Sequence, residues 1–317
     1  MNIISAKGIT KNFSKSKFDW RHLKINKEDH IAVSGLDLEI EEGEFVGFLG
    51  PNGAGKTTFL KILSGIVHPT KGEAKVLGFV PWARDYKYLR QIAIVMGQKN
   101  QLWWDIPAID SYQMLQAVYD IPNDIYKKNL DEMVTALDMK ELLTKRLREM
   151  SLGERMKCEL VACFLHNPKV IFLDEPTIGL DVVSSQTIRA FLKKINREKK
   201  CTLILTSHYM GDIEELCERV VIINKGQKVY DGNLNKLKEQ YAPEKIIEIY
   251  LETIEEKKKF AHLDTAKKKL DGHKGIIRVK KTELGQIVKE VYSTFDAENI
   301  SISDPDMEEI VRKIFKQ

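Results

Sequence analysis

Gly50-Pro51-Asn52-Gly53-Ala54-Gly55-Lys56-Thr57-Thr58 is the stretch whose reading decides the fold. It matches G-x-x-x-x-G-K-[ST] in full, in the context that pattern requires. Phe45 to Leu49 before it is a short apolar run that reads as a buried strand, and Thr57 to Ile66 after it carries Leu60, Ile62, Leu63 and Ile66 at helical spacing. Glycines let backbone N–H groups converge on phosphate oxygens without Cβ clashes. The helix turns its positive N-terminal end toward the same anion. Lys56 reaches the β- and γ-phosphates as a mobile point charge, and Thr57 offers a hydroxyl to Mg²⁺, which prefers hard oxygen ligands. Gly50, Asn52, Gly53, Ala54, Gly55, Lys56, Thr57 and Thr58 are therefore the candidate phosphate contacts.

A second signal is Val170-Ile171-Phe172-Leu173-Asp174-Glu175. A buried strand delivers two carboxylates at its C-terminal end, where α/β sheets place their ligands. Asp174 is expected to hold Mg²⁺ through water. Glu175 is expected to accept a proton from an attacking water, or to polarise it.

The chain of 317 residues suggests roughly two domains at about 150 residues each. With 43% apolar and 30% charged residues it is globular, which excludes disordered, collagen-like and fibrous classes. No apolar run approaches the roughly 18 residues needed to cross a bilayer, so no span is expected. Met1 to Lys7 lacks the apolar stretch of a secretory signal. Cys158, Cys163, Cys201 and Cys217 show no CxxC or metal spacing and fit a reducing cytosol. A net charge of +4, from 50 basic and 46 acidic residues, is too slight to argue for nucleic acid.

Residues 1–12 read as an edge strand, and 13–30 as a basic segment with interleaved aromatics. Ile31 to Ile40 alternates like a strand, followed by a Glu-Glu-Gly turn at 41–43. Residues 108–150 are mostly helical, Leu203–Leu205 is a buried strand, and Val220–Ile223, Lys225-Gly226 and Val229-Tyr230 form a hairpin. Buried strands alternating with helices predict an α/β fold, its mainly parallel sheet covered on both faces. A boundary near Ala242-Pro243-Glu244 separates residues 1–242 from a small α/β domain at 243–317. Within it, strands are expected at 246–251, 276–279 and 300–303, with helices at 253–270 (lysine-rich), 282–295 and 306–316. The lysine runs at 257–259 and 267–269 read as a solvated helix face.

The two motifs have company. Gln98 follows the apolar stretch Ile92–Met96, Ser151-Leu152-Gly153-Glu154-Arg155 precedes a helix, Gly179-Leu180-Asp181 follows Asp174-Glu175-Pro176-Thr177, and His208 follows the strand at 203–205. In this order the set resembles the nucleotide-binding subunit of ATP-binding cassette (ABC) transporters over about residues 1–235. Gly97–Asp105, Ser151–Met156 and Pro176–Val183 are similar to the bacterial ABC-2-type exporter ATPases, which work with separate membrane subunits.

The resemblance implies a P-loop ATPase domain with an antiparallel β part and a helical subdomain at about 99–165, and ATP and Mg²⁺ as ligands. Gln98 would contact Mg²⁺ or the attacking water, and His208 the γ-phosphate. Asp181 would bridge two copies, and Ser151 and Gly153 would close over the ATP of the other copy in a homodimer or paired cassette. Phe13 would stack on adenine, with Phe18 and Trp20 as alternatives. Multi-span permease subunits would be the partners, with no nucleic acid, on the cytoplasmic face of the membrane. Trp103, Trp104 and Ile106 would form a groove for the permease, or local core. The segment 13–30 would touch anionic lipid or the partner, or be solvated. Residues 243–317 would stabilise or regulate the dimer, or be a passive appendage. The family's usual Leu-Ser-Gly-Gly-Gln is here Met150-Ser151-Leu152-Gly153-Glu154. Leu152 narrows the backbone freedom, and Glu154 adds negative charge near ATP if it points inward. The competing readings are a soluble ABC ATPase acting on ribosomes or DNA, and a nucleotide kinase. The first expects tandem cassettes or coiled-coil insertions, and the second leaves Ser151, Gly153, Gln98 and His208 unexplained.

Overall fold

A computed structural model describes residues 2–19, 24–97, 100–207, 209–263, 265 and 267–315. It divides into two compact units, Met1–Gly232 and Asn233–Gln317, so the break falls before the 242/243 junction expected from the sequence.

The first unit runs β1 (Asn2–Asp19), β2 (Lys24–Glu41), β3 (Phe45–Leu49), α1 (Lys56–Leu63), β4 (Lys71–Val76), α2 (Tyr86–Leu89) and β5 (Ile92–Met96). Next come α3 (Ala108–Val118), α4 (Asn123–Ala136), α5 (Leu152–Phe164), β6 (Val170–Asp174) and α6 (Val182–Lys199). It closes with β7 (Thr202–Thr206), α7 (Met210–Leu216), β8 (Arg219–Asn224) and β9 (Gln227–Asn233). Six strands form one sheet in the order β5-β6-β7-β3-β8-β9. Its first five are parallel, as runs buried on both faces require. β9 returns from β8 through the two-residue turn at Lys225-Gly226, which permits only antiparallel pairing.

A separate antiparallel sheet has the order β2-β1-β4. Its inward residues Ile4, Ile9, Leu36, Leu38 and Ile40 join Val46 and Phe48 of β3 and Phe59, Leu60 and Leu63 of α1 in one core. Phe48 and Phe59 stack with centroids 5.9 Å apart. Truncating a buried Phe of this kind costs roughly 3–5 kcal/mol. α1 is thus held between two sheets, which fixes the loop that precedes it.

Residues 13–30 do not stand apart from the strands as the sequence reading has them. β1 and β2 pair from Asn2↔Glu41 through Phe13↔His30 to Asp19↔Lys24, as one long two-stranded ribbon, and Trp20 lies outside the described residues. The four cysteines are free and buried, and burial pushes the thiols up, Cys158 to about 11 and Cys163 and Cys201 to about 12. No helix among the described residues is long and apolar enough to cross a membrane.

The second unit contains α8 (Leu234–Tyr241), β10 (Glu244–Tyr250), α9 (Ile254–His262), β11 (Lys268–Asp271), β12 (Lys274–Lys280), α10 (Leu284–Thr294), β13 (Ile300–Ser303) and α11 (Met307–Phe315). Its antiparallel sheet has the order β11-β12-β10-β13 and packs Ile247, Ile249, Ile277 and Val279 against Phe260 and Val291. The helix expected over 253–270 ends at His262. Lys268 and Lys269 lie instead in β11, where the Lys268 ammonium donates to the Leu263 carbonyl at the end of α9, 2.5 Å away.

Candidate functional site

β3 is buried along its whole length and ends at Leu49, and at Gly50 the chain turns into the phosphate loop. Two glycines are sterically obligatory. A Cβ at Gly50 would lie 2.3 Å from the Ile223 carbonyl oxygen, and one at Gly55 would lie 2.2 Å from that of Ala32, with φ at +105° besides. The loop is therefore pressed against β8 at Gly50 and against β2 at Gly55, with no room for a side chain at either position. Lys56 is 4% exposed, and its ammonium donates to the Gly50 carbonyl (2.6 Å) and the Pro51 carbonyl (3.2 Å). Burial lowers its pKa, an effect opposed by the carboxylates of Glu175 and Asp174. A triphosphate at this loop would supply the counter-charge that burial makes valuable.

Opposite the loop, Asp174 Oδ1 accepts from Thr57 Oγ1 at 2.8 Å and from Thr206 Oγ1 at 2.7 Å. The parallel register that puts Asp174 beside Thr206 is the cause, since β6 and β7 end together. Glu175 follows at φ +55°, a left-handed conformation uncommon outside glycine and often found at functional sites. Its backbone is held by N–H donation to the Thr206 carbonyl at 3.0 Å. Gly97, at the end of β5, closes on it from the side: a Cβ there would sit 2.2 Å from the Glu175 carbonyl oxygen. The loop from Asn52 to Thr58 and Glu175, with Phe13, His30 and Ala32 of the ribbon, line a cavity of about 200 Å³. Phe13 is 39% exposed with the Lys11 ammonium 5.1 Å from its ring centroid, so it is not core. His30 faces it across the ribbon, and nothing in the sequence pattern marks that residue.

Ser151, Gly153 and Asp181 are not among the described residues lining this cavity. They meet elsewhere. Asp181 caps α6, accepting from Ser184 N (2.9 Å) and Ser184 Oγ (2.6 Å), which hold its carboxyl below the usual range. A Cβ on Gly153 would strike Ser184 Oγ at 2.4 Å. Ser151 caps α5: its Oγ accepts from Glu154 N (3.2 Å), while Glu154 Oε2 accepts from Ser151 N (2.7 Å). Glu154 is therefore turned back on its own helix end. That backbone bond, the largest influence on it, keeps its carboxyl below the usual range. The Ser-x-x-Glu spacing of a capping box was the signal for this role. Gln98, His208 and Trp20 lie outside the described residues, as does the side chain of Phe18.

One residue has no sequence signal at all. Asp212 on α7 is fully buried, and its carboxylate accepts from Arg189 (3.1 Å), Ser207 (2.8 Å) and Thr177. Those partners sit on α6, just before His208, and two residues after Glu175.

Known proteins are similar to this chain in sequence and fold. A family profile described as ABC transporter matches residues 33–178. The ABC transporter ATP-binding protein NatA of Bacillus subtilis (strain 168) is 31% identical over 231 residues, covering 73% of this chain and 94% of that protein. The chain belongs to the ABC transporter ATP-binding proteins. The uncharacterized ABC transporter ATP-binding protein YhcH of the same organism is 32% identical, over 70% of this chain and 73% of its own length. Among solved structures, the dimeric ATP-binding cassette MJ0796 bound to ADP and Pi shares the fold, with a TM-score of 0.63 at 24% identity, covering 73% of this chain and 98% of that one. This cassette is thus the ATP-binding, ATP-hydrolysing subunit of a transporter.

Proposed function

We propose that this cassette is the motor of an ABC-2-type exporter, acting through separate multi-span permease subunits on the cytoplasmic face of the membrane. ATP-dependent pairing of two cassettes would drive the cycle. The observation that carries the pairing is the separation of two half-sites. The phosphate cavity is lined by the loop Asn52–Thr58 and by Glu175, while the exposed helix start at Ser151 belongs to a different cluster. Its own chain gives this helix start only the Glu154 carboxylate, which accepts from Ser151 N, and the serine hydroxyl and neighbouring N–H groups offer an anion site to the second copy's nucleotide. A second copy, arranged head to tail, gives each half-site its complement.

The residues fit Mg²⁺: Thr57 Oγ1 and Asp174 Oδ1 are hard oxygens 2.8 Å apart beside the phosphate loop. When bound, the ion would neutralise charge on the β- and γ-phosphate oxygens. Lys56 and the loop N–H groups bind and orient the triphosphate. Glu175 holds or takes the proton of the attacking water. Gln98 contacts the metal or that water, His208 orients the γ-phosphate, and Phe13 stacks on the base. Ser151 and Gly153 of one copy seal the ATP of the other, and Asp181 bridges the pair. Trp103 and Trp104, each 45% exposed, offer the permease an aromatic anchor.

Co-purification from solubilised membranes tests this reading. Recovery with a multi-span protein is the expected result, and recovery with ribosomes or DNA alone would refute it.

A further inference from the structure

Glu159 is a carboxylate that the nucleotide chemistry does not use. It sits on α5 at 3% exposure. Its Oε1 accepts from the backbone N–H groups of Gln101 (2.8 Å) and Leu102 (3.2 Å), while its Oε2 is buried with no hydrogen-bond partner among the described residues. Burying a half-satisfied carboxylate is costly, and packing alone would be better served by an apolar side chain.

Its position explains why it is there. Eight residues along α5 from Ser151 is about 12 Å, roughly two helical turns. The segment that Glu159 grips, Asn100 to Asp105, leads directly to the exposed Trp103 and Trp104. Further ties bind the same segment to α5 and to the strand beside it. Gln101 Nε2 donates to Cys163 Sγ of α5 (3.3 Å) and to the Ile94 carbonyl of β5 (2.6 Å). The Arg155 guanidinium lies 5.0 Å from the Trp104 ring centroid, and its Nε donates to the Ser151 carbonyl at 3.4 Å. Displacing the tryptophans therefore means displacing α5 and the serine at its start.

We infer that Glu159 is a positioning residue that makes the Trp103–Trp104 segment and the Ser151 helix move as one body, so that a partner seated on the tryptophans sets how Ser151 closes over the second copy's nucleotide. This rests on the pairing described under Proposed function. Glu159 itself touches no nucleotide.

The test uses the full-length chain, with ATP affinity measured in the absence of turnover and hydrolysis measured as a function of protein concentration. Glu159→Ala is expected to leave ATP affinity within about twofold and to lower turnover about tenfold to a hundredfold, the scale of a misplaced group remote from the chemistry. Glu159→Gln keeps an oxygen for both N–H groups and should restore turnover to within about threefold. Equal turnover in Glu159→Ala and the parent chain overturns the inference. So does a Glu159→Gln chain as slow as Glu159→Ala, or a loss of ATP affinity that matches the loss of turnover. If Glu159→Ala fails to fold, Arg155→Gln decides: slower turnover at unchanged affinity supports the linkage, and unchanged turnover overturns it. A parent chain with no affinity for ATP would instead refute the nucleotide site itself, and this inference with it.

Discussion

Thr57 Oγ1 lies 2.8 Å from Asp174 Oδ1, joining the first turn of α1 to the end of β6 across the phosphate loop. The hydroxyl donates and the carboxylate accepts, and Thr206 Oγ1 donates to the same carboxylate oxygen at 2.7 Å. Asp174→Asn removes the charge and keeps the shape. The half-saturating Mg²⁺ concentration for hydrolysis should rise about 10- to 100-fold, with metal-free ATP affinity nearly unchanged. A metal titration checks this, and an unaltered midpoint would take Asp174 out of the site.

Glu175→Gln should cut phosphate release by about 100-fold or more, the scale of a lost general base, while ATP still binds and still brings two copies together. Steady-state turnover and sedimentation in the presence of ATP are the two measurements. Hydrolysis at the parent rate would remove Glu175 from its role.

Lys56→Ala should weaken ATP binding roughly 10- to 100-fold, because the ammonium is a charge-assisted donor in a confined loop. A binding titration decides, and equal affinity contradicts the assignment.

Asp212→Ala removes the buried carboxylate shared by Arg189, Ser207 and Thr177, leaving Arg189 with the more exposed Glu215. Breaking a buried charge pair costs about 3–5 kcal/mol, so thermal unfolding of the first unit should move down by roughly 10 °C or more. A shift of a degree or two would mean that these groups find other partners.

Burial, the largest influence on it, lifts the Glu159 carboxyl to about 7 even though two N–H groups favour its charged form. In the unfolded chain this carboxyl ionises near 4.5, so the neutral folded form is favoured at low pH and the unfolded state gains as pH rises. The stability contributed below pH 4.5 should therefore be lost between about pH 4.5 and 7, by on the order of 2–3 kcal/mol. Denaturant unfolding of Glu159→Gln at pH 5 and pH 8 should show the variant gaining on the parent at the higher value. Parallel behaviour at both would contradict a raised carboxyl.

The strand Phe45–Leu49 and the strand Ile300–Ser303 were legible to the residue, because apolar or alternating runs end at turn residues. The outer ribbon was not. Lys, Ser and Asp recur between Phe13 and Asp29 without a continuous apolar face, so a strand supported only by its neighbour's backbone reads as loop. The helix over 253–270 was drawn too long because lysines suit both a helix and a solvated strand. At the site, the phosphate loop and the Asp174-Glu175 pair could be read from spacing, whereas the Glu154 cap was missed although Ser-x-x-Glu marks it. Asp212 and Glu159 could not be read. An acidic residue on an amphipathic helix looks solvated until the packing that buries it is known.

The long ribbon has a colloidal consequence. β4 accompanies β1 as far as Thr10↔Lys71, and β2 is the outer strand of its sheet, so among the described residues the distal half of the ribbon has no further strand along either margin. Such margins invite strands from neighbouring molecules, and charge is the usual deterrent. Association between molecules, if it occurs strand to strand, would therefore begin at this ribbon and not at the parallel sheet, whose central strands are paired on both sides.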